Sequence, residues 1–430
     1  MSASDTSEIA DAPPGRLRSL PSSVRALRRV AELDTRLLGM LGALAIIWIG
    51  FHFWSGGTFL TPRNLWNLSV QTATVAIMAT GMVLVIVSRN IDLSVGAVLA
   101  SVGMAMALLQ AEILPKWLGF DHWATWIIAL AAGILLGAAI GGVHGFIVAY
   151  VGVPSFIVTL AGYLAWRGVA WWMASGQTIA PMDKTFQLIG GGSRGNIGWF
   201  WSWVVGAVAC LGIVAMLITG RRQRGKFGLR LRPLGADISI GVISCAVVLI
   251  AVAYLNLYML PERVAAQRGG GNIPFGLAVP VIIAIAVTLA MIFIGTRVRY
   301  GRYVFAIGGN PEAAELSGIK TRWTIMKTFI LMGVLVAIAA AVQVARLNAA
   351  VSGLGQGAEL YVIAAAVIGG TSLSGGVGTA TGAVLGALVM QSLQSGMVLV
   401  GVEAPVQDIA VGVVLVIAVA IDTLVRRRPK

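Results

Sequence analysis

Residues 308–319 read Gly-Gly-Asn-Pro-Glu-Ala-Ala-Glu-Leu-Ser-Gly-Ile, a short polar segment in a chain otherwise rich in Leu, Val, Ile, Ala and Gly. The pattern predicts a short helix. Asn310 is a favourable N-cap, Pro311 suits the first helical position, and Gly318 supplies a left-handed stop. Glu312 lies in the first turn, where the helix dipole favours negative charge. A helix of about two turns is too short to be stable alone, so we expect it to dock on another surface; an ordinary capped loop helix is the alternative.

The composition of the whole chain is that of a membrane protein. Of 430 residues, 58% are hydrophobic and only 11% are charged, against roughly 25% charged residues in a soluble domain. The mean hydropathy is +0.88, and apolar runs of about 20 residues, the length of a transmembrane helix, recur throughout. We therefore predict an all-α polytopic membrane protein with about 12 transmembrane helices (roughly 10 to 12), without room for a soluble catalytic domain.

The basic residues are clustered beside the apolar runs. The net charge is +14, which could indicate nucleic-acid binding, but 22 of the 31 Lys and Arg residues fall in four clusters, at 16–36, 221–232, 297–327 and 426–430. Apolar spans separate these clusters, and this distribution indicates the cytoplasmic side of a membrane. It predicts that both termini are cytoplasmic, that anionic membrane lipid is a partner, and that nucleic acid is not.

The order of apolar runs divides the chain into tails and a membrane domain. Residues 1–36 form a predicted cytoplasmic tail, 37–425 a transmembrane domain with a cytoplasmic loop at 297–325, and 426–430 a basic tail. The predicted spans are about 37–54, 65–87, 96–111, 124–150, 155–174, 200–219, 237–257, 276–295, 326–346, 359–371, 379–399 and 406–425. On the fourth span, Gly133, Gly137 and Gly141 predict close helix packing.

Two polar interruptions share a Leu-Ser-x-Gly frame, namely Asp92–Gly96 and Ser372–Gly376. Paired interruptions in two halves of a chain are typical of transporter pathways built from repeats. Arg89, close to the first interruption, could pair with Asp92 three residues later, or it could extend from a membrane interface to water.

Two further basic residues lie at or within spans. Arg167 is inside the fifth span, and ionisable groups at membrane depth usually face the interior of the helix bundle. Arg346 and Asn348 lie near a predicted outer mouth, where they could meet a polar ligand or simply mark the end of a span.

Several classes of chemistry lack their motifs. The chain has no Walker A sequence, so it is not expected to hydrolyse ATP, and Gly308-Gly309 is not followed by the Lys-Ser/Thr of a phosphate loop. The three histidines are scattered without an HExxH motif or a paired intramembrane Asp. Cys210 and Cys245 lie in apolar runs without a CxxC motif, so neither a metal site nor a disulfide framework is predicted.

Four motifs in register resemble the permease subunits of bacterial ABC sugar importers of the ribose/xylose branch. They are the segments 90–96, 152–160, 308–319 and 368–376, and the resemblance covers about 60–425. The longer pattern looks most like xylose permeases, because roughly 199–271 appears as a two-helix insertion relative to compact ribose-type permeases.

The resemblance implies partners and roles. It implies a multi-pass protein of the bacterial inner membrane that is not an enzyme. The implied partners are an ATP-binding subunit, a periplasmic sugar-binding protein and a second permease copy, with ATP and Mg bound by the ATPase and no cofactor or metal in this chain. The segment implied to be the coupling helix that enters the ATPase comprises Asn310, Pro311, Glu312, Ala313, Ala314, Glu315, Leu316, Ser317 and Gly318.

The expected translocation path lies near the interrupted segments and the isolated polar residues of the spans. Its candidates are Arg89, Asn90, Asp92, Ser94, Ser155, Phe156, Arg167, Arg346, Asn348, Ser372 and Ser374.

The leading hypothesis is a permease subunit for import of a pentose, namely xylose, with another sugar such as ribose as an alternative. An ion-coupled secondary transporter is a second alternative, and it would need an acidic group at the membrane midplane, for which only Asp92 is a candidate. An intramembrane enzyme would need a catalytic pair that the sequence does not offer.

Overall fold

The computed structural model describes residues 35–427 apart from four positions, which are Arg230, Arg232, Arg268 and Gly269. Most of the predicted N-terminal tail (1–36) and the last three residues of the predicted basic tail (426–430) therefore lie outside the described residues.

The described chain consists of α-helices joined by loops and short π- or 3₁₀-helical turns. The first half contains α1 (Thr35–Trp54), α2 (Pro62–Val87), α3 (Val95–Leu108), α4 (Pro115–Leu118), α5 (Thr125–Phe146), α6 (Ser155–Ala174), α7 (Gly198–Lys226) and α8 (Leu234–Leu255). The second half contains α9 (Glu262–Ala266), α10 (Val279–Arg297), α11 (Arg299–Gly309), α12 (Pro311–Leu316), α13 (Thr321–Leu347), α14 (Ala358–Ile368), α15 (Ala380–Leu399) and α16 (Ala404–Arg427).

These elements confirm the prediction of an all-α polytopic membrane protein. Within the described residues, 8 helical segments are long and apolar enough to cross a membrane, and three shorter apolar helices accompany them. The β-structure in the described part is limited to isolated bridges in the loops. Helix α14 has 11 residues and is therefore only about 16 Å long, so by itself it does not span a hydrocarbon layer of about 30 Å.

Helix α2 forms the centre of the bundle. It is buried along almost its whole length and packs against α10, α13, α14 and α15. Because it is surrounded by protein, its surface can carry both a continuous apolar face and a polar one without exposing either to lipid. That property makes α2 the element on which the two functional regions described below are built.

Helices α5 and α13 approach closely through glycines, as the small-residue pattern predicted. A Cβ atom on Gly137 would lie 2.4 Å from the Gly333 carbonyl oxygen, and one on Gly141 would lie 2.1 Å from that of Phe329. Gly133 instead makes room for the side chain of Met106 on α3. The glycines thus fix α5 against the core by direct backbone contact.

Helices α7 and α8 form a hairpin at the periphery that occupies the predicted insertion, 199–271. Most of its surface is exposed, and an ion pair of 2.6 Å between Arg221 Nη1 and Asp237 Oδ2 joins the two helices. Helix α7 continues to Lys226, beyond the predicted end at 219, because Arg, Gln and Lys are good helix formers and prolong the apolar span into the basic cluster.

Helix α11 is the element that the sequence prediction missed. We predicted one short helix in the loop 297–325, whereas the structure has two in succession. The three glycines Gly301, Gly308 and Gly309 lower the intrinsic helix preference, but Gly301 and Gly308 are buried against neighbouring backbone. Tertiary packing therefore stabilises a helix that propensity alone does not predict.

Candidate functional site

The short helix α12 has the ends that the sequence predicted. The Asn310 side-chain oxygen accepts a hydrogen bond of 3.0 Å from the Ala313 amide, Pro311 occupies the first turn, and Gly318 has φ +81°. Ala314 is buried against the rest of the chain. The prediction of a capped helix is confirmed.

The outer surface of α12 is exposed. Leu316 is 91% exposed, and its exposed neighbours are Glu312, Ala313, Glu315 and Ser317. The exposed side of α12 thus presents one large apolar side chain among small and polar ones.

Two of the predicted motifs, 308–319 and 368–376, meet the residues just before a third, 90–96. We call this place the junction: residues Val87, Arg89, Gly308, Gly309 and Gly376. The Gly376 amide donates a hydrogen bond of 3.0 Å to the Val87 carbonyl oxygen. A Cβ atom on Gly308 would lie 1.8 Å from that same oxygen and 2.5 Å from the Gly376 amide nitrogen. Only glycine fits at 308, since the obstructing atoms on both sides are backbone.

Arg89 and Asp92, which the sequence allowed to pair, have different partners. Arg89 Nε donates to the Gly308 carbonyl oxygen and Nη2 to that of Gly309, each at 2.8 Å. Asp92 is buried and accepts hydrogen bonds from the Ser94 amide (2.9 Å) and hydroxyl (2.6 Å). The guanidinium therefore caps the C-terminal end of α11, where the helix dipole favours a cation.

Asp92 and Ser94 continue into a buried hydrogen-bonded chain. Ser94 Oγ lies 3.3 Å from His144 Nδ1 on α5, and Trp166 Nε1 on α6 donates to His144 Nε2 at 3.0 Å. An indole N–H can only donate, so the ring is the neutral tautomer with its proton on Nδ1, directed toward Ser94. A Cβ atom on Gly162 would lie 2.6 Å from His144 Nε2, which explains the glycine there.

The rest of the interruption between α2 and α3 is fixed by local hydrogen bonds. Asn90 is buried, and its side-chain Nδ2 donates to the Ser88 carbonyl oxygen at 2.9 Å. The Ile91 amide donates to the Ser155 hydroxyl at 3.2 Å, which ties the segment to the first turn of α6. This part of the predicted path is therefore held by short polar contacts.

Three other predicted path residues lie around this region. Phe156 is half exposed at the bundle surface. Ser372 is buried and Ser374 is exposed, and their hydroxyl oxygens are 2.7 Å apart in the loop that leads to the junction.

A cavity of about 560 Å³, which we call the vestibule, lies between α2, α13, α14, α15 and the loop 351–357. Its position is at the end of the bundle opposite the junction, since it includes the first turn of α2 and the last turns of α13 and α15. The polar residues that line it are Asn64, Asn67, Gln71, Thr74, Gln343, Arg346, Gln356, Gln391, Gln394 and Ser395.

The polar part of the vestibule lining is almost uncharged. Among the described residues that line it, six are carboxamides on α2, α13 and α15, a seventh is Gln356, and Arg346 is the one charged residue. A carboxamide both donates and accepts hydrogen bonds, so such walls can bind alcohol groups without attracting ions. Among the described residues, the side chains of Asn67, Gln71 and Gln356 have no protein partner, and their groups are free to bind a solute.

The loop 351–357 forms one wall of the vestibule and reaches deep into the bundle. Arg167 Nη1 donates to the carbonyl oxygens of Ser352 (3.0 Å) and Leu354 (2.8 Å), which holds the loop from the side of α6. A Cβ atom on Gly96, at the start of α3, would lie 2.3 Å from the Gly355 carbonyl oxygen. We call this loop the floor loop.

Arg346 and Asn348 were both predicted near an outer mouth, but only Arg346 is in the lining of the vestibule. Asn348 has φ +53° at the end of α13, and its side-chain oxygen accepts a hydrogen bond of 2.9 Å from the Met182 amide in the loop after α6.

A second cavity, of about 360 Å³, lies between the loops after α3 and α6 and contains Asp121, Asp183, Lys184 and Arg194 among its lining residues. Lys184 Nζ is 2.5 Å from Asp121 Oδ2. The hydrogen bonds and charge of Lys184 lower the pKa of Asp121 from its ordinary value of 3.8.

Sequence reasoning missed the carboxamides of the vestibule, although a signal existed. Asn64, Asn67 and Gln71 are spaced by three and four residues and so share one face of α2, and Gln391 and Gln394 have the same spacing on α15. Apolar helices ordinarily exclude such groups from lipid. The predicted path residues followed the chain interruptions instead, and these lie mainly beside the junction and the floor loop.

Comparison with known proteins gives a consistent result. A family model described as "Branched-chain amino acid transport system / permease component" matches residues 64–419. The xylose transport system permease protein XylH of Haemophilus influenzae is 39% identical over 395 residues, 92% of this chain and 98% of the relative. The corresponding XylH of Escherichia coli K12 is 37% identical over 397 residues, 92% of this chain and 94% of the relative.

A ribose permease is also similar. The ribose import permease protein RbsC of Escherichia coli K12 is 34% identical over 364 residues, 85% of this chain and 87% of the relative. No solved structure matches the chain. These matches confirm the resemblance to sugar-importer permeases that the four motifs indicated, and the chain belongs to the family of transport-system permease components.

Proposed function

We propose that the chain is the membrane-spanning permease subunit of a binding-protein-dependent importer. Its proposed substrate is a pentose, and xylose is the pentose that we favour. The observation that supports a sugar is the vestibule: seven carboxamides and one charged residue line a cavity of about 560 Å³. Such a surface suits a neutral, hydroxyl-rich solute. The two XylH proteins, similar over 92% of the chain, support xylose among the sugars.

The proposed topology has about 12 crossings, with both termini in the cytoplasm of a bacterial inner-membrane protein. The junction and α12 then face the cytoplasm, and the vestibule faces the outside. The basic residues support this orientation, since Arg299, Arg302, Lys320 and Arg322 flank α12. The hairpin of α7 and α8 is proposed to be an insertion of two further crossings.

Residues Asn310–Gly318 are proposed to be the coupling helix that binds a separate ATPase subunit, which supplies ATP and Mg. A periplasmic sugar-binding protein is proposed to deliver the sugar at the vestibule, and a second copy of the permease to complete the channel. The exposed Leu316 supports the ATPase contact, because a bare apolar side chain on a capped helix gains most when it is buried by a partner.

The sugar path is proposed to run from the vestibule, past the floor loop, to the interrupted segments. In this arrangement Arg346 meets the sugar in the vestibule and Arg167 holds the floor loop. Asp92, Ser94 and Ser155 shape the path below the floor loop, with Asn90, Phe156, Ser372, Ser374 and Arg89 nearer its cytoplasmic end.

The test is ATP hydrolysis by the permease, purified together with its co-expressed ATPase and reconstituted in proteoliposomes. We expect the binding protein loaded with xylose to stimulate hydrolysis several-fold more than the empty protein. Stimulation by ribose or allose alone would contradict the choice of sugar while leaving the importer assignment intact.

The same proteoliposomes distinguish the importer from an ion-coupled transporter. Uptake of labelled sugar should stop with vanadate and continue with an uncoupler. The opposite result, uptake that an uncoupler abolishes and vanadate does not, would contradict the importer mechanism.

A further inference from the structure

Among the described residues, Arg89 is the one side chain whose hydrogen bonds join the helix pair α11–α12 to the interruption between α2 and α3. It has φ +64°, a backbone conformation that costs a non-glycine residue free energy and persists where surrounding contacts hold it. Here two hydrogen bonds of 2.8 Å hold it to the last carbonyl groups of α11, at Gly308 and Gly309. Gly309 directly precedes the N-cap of α12, so Arg89 binds the base of the proposed coupling helix.

Besides the hydrogen bonds of Arg89, the junction contains a direct contact between backbone atoms. Gly308 fits between the Val87 carbonyl and the Gly376 amide without room for a Cβ atom. A displacement of α11 therefore has to carry Val87 and Gly376 with it or break this packing, since tightly packed backbone transmits strain. Both interrupted segments, 88–94 and 369–376, begin or end at this point.

From Arg89 the interruption continues to the floor of the vestibule in a few residues. Ile91 is bonded to α6 through Ser155, and Asp92 is bonded to Ser94 at the start of α3. Gly96, two residues further, touches the backbone of Gly355 in the floor loop. Each step is a hydrogen bond or a backbone contact, so the path from α12 to the vestibule is physically continuous.

We infer that Arg89 is a positioning residue that transmits displacement of the α11–α12 pair to the floor loop, and so couples the ATPase to the opening of the vestibule toward the interior. This inference rests on the proposed function. Spatial continuity alone is not energetic coupling. The decisive observation is therefore whether the floor loop still responds to nucleotide bound at the ATPase after the Arg89 guanidinium has been removed.

The experiment uses Arg89→Ala and Arg89→Lys in the reconstituted permease–ATPase complex, with Arg302→Ala as the matched control. Arg302 is an exposed arginine of α11 whose guanidinium reaches only the Arg297 carbonyl oxygen, at 3.4 Å. We expect Arg89→Ala to retain assembly, melting temperature and basal ATP hydrolysis within about twofold. Stimulation by the sugar-loaded binding protein and sugar uptake should both fall at least tenfold. Arg89→Lys should be intermediate, because an ammonium is a point charge without the planar fork that binds two carbonyls.

A second readout follows the floor loop directly. In a background where Cys210 and Cys245 are replaced by Ser, a Gln356→Cys substitution places a thiol in the loop, and its labelling rate is measured with and without ATP and vanadate. In this Gln356→Cys protein with Arg89 intact, which is the parent for this readout, the labelling rate should change at least threefold when nucleotide is added. It should remain constant when Arg89→Ala is added, and it should change as in the parent when Arg302→Ala is added.

The possible outcomes separate the inference from the proposed function. Normal stimulation and a normal labelling change in Arg89→Ala would overturn the inference and leave the importer intact. A complex that fails to assemble with either Arg89 variant would also overturn it, because Arg89 would then serve stability only. If no sugar-loaded binding protein stimulates the parent complex, the proposed function itself fails.

Discussion

The junction and the vestibule both adjoin α2, but the junction is formed mainly by backbone atoms and the vestibule mainly by side chains. At the junction, backbone meets backbone through Gly308 and Gly376, and one arginine is bound to two carbonyl groups. The vestibule is a space of about 560 Å³ whose lining combines seven carboxamides with apolar side chains. At Gly308 the junction has no room for an added atom, whereas the vestibule has room for a small ligand.

The difference indicates how tolerance to substitution should be distributed. A contact that transmits force needs stiffness, and stiffness comes from backbone packing that has no alternative rotamers. A surface that passes a solute needs several weak and exchangeable hydrogen bonds, each contributing about 1 kcal/mol. Substitutions that disturb the backbone packing around Gly308 should therefore abolish function, whereas substitutions in the vestibule should only tune it.

The largest effect is expected for Gly308→Ala, with Gly309→Ala as its matched control. The added methyl group at 308 would lie 1.8 Å from the Val87 carbonyl oxygen, whereas at 309 nothing lies within 4 Å. We expect Gly308→Ala to lower the free energy of unfolding by about 1–3 kcal/mol or more and to abolish uptake. Gly309→Ala should resemble the parent. Thermal melting in detergent and uptake in proteoliposomes measure both, and equal behaviour of the two variants would contradict the tight packing.

The next effect concerns the outer surface of α12. Leu316→Asp removes the apolar contact that we assign to the ATPase, and because Leu316 is 91% exposed, the isolated permease should keep its melting temperature. Co-purification of the ATPase should fall at least tenfold. Leu257→Asp, at a leucine that is also exposed but lies after α8, is the control. Unchanged co-purification with Leu316→Asp would contradict the coupling role of α12.

In the vestibule, Gln71→Leu should weaken transport without abolishing it. Loss of one hydrogen bond of about 0.5–1.5 kcal/mol corresponds to roughly a 2- to 13-fold rise in the sugar concentration for half-maximal uptake. The maximal rate should change little. Gln223→Leu, an exposed glutamine at the end of α7, is the control. A complete loss of uptake with Gln71→Leu, at normal expression, would mean that the vestibule is as intolerant as the junction.

A smaller effect on uptake is expected between the two regions, at the buried hydrogen-bonded chain that ends on Trp166. Trp166→Phe removes the donor to His144 Nε2 and leaves a polar atom without its partner, at a cost of about 1–3 kcal/mol. The melting temperature should fall measurably and uptake should persist. Trp171→Phe on the same helix, at an exposed position, should have little effect. If both variants melt alike, the hydrogen bond does not contribute to stability.

The sequence predicts those features of the structure that depend on neighbouring residues, and it does not predict those that depend on distant ones. The caps of α12 were predictable because Asn310, Pro311 and Gly318 act on their own neighbours. Gly308 could not be explained from its neighbours, because the atoms that exclude a side chain there belong to Val87 and Gly376, more than 60 residues away in sequence.

The vestibule and α11 show the same limit. The spacing of Asn64, Asn67 and Gln71 places them on one face, but only the fold shows that this face meets the carboxamides of α13 and α15. Helix α11 forms against its intrinsic preference because packing overrides propensity. Local chemistry is thus readable in the sequence, whereas convergence of distant segments is not.

The smallest expected effect follows from a difference between two basic side chains. Arg89 lies at the junction, and Lys184 lies at the opposite end of the bundle. Arg89 binds carbonyl oxygens, which do not titrate, whereas Lys184 binds the carboxylate of Asp121 and lowers its pKa below 3.8. A lowered pKa in the folded state stabilises the fold above the ordinary pKa, and this stabilisation is lost as the pH falls through the lowered value.

Lys184→Ala should therefore cost less than about 1 kcal/mol at pH 7, because the pair is exposed, and the difference from the parent should shrink below about pH 4. Lys116→Ala, in the neighbouring short helix α4, should show no such pH dependence. Melting temperatures between pH 3 and 7 measure the difference. A difference that stays constant across this range would mean that Lys184 acts through its packing and not through the charge of Asp121.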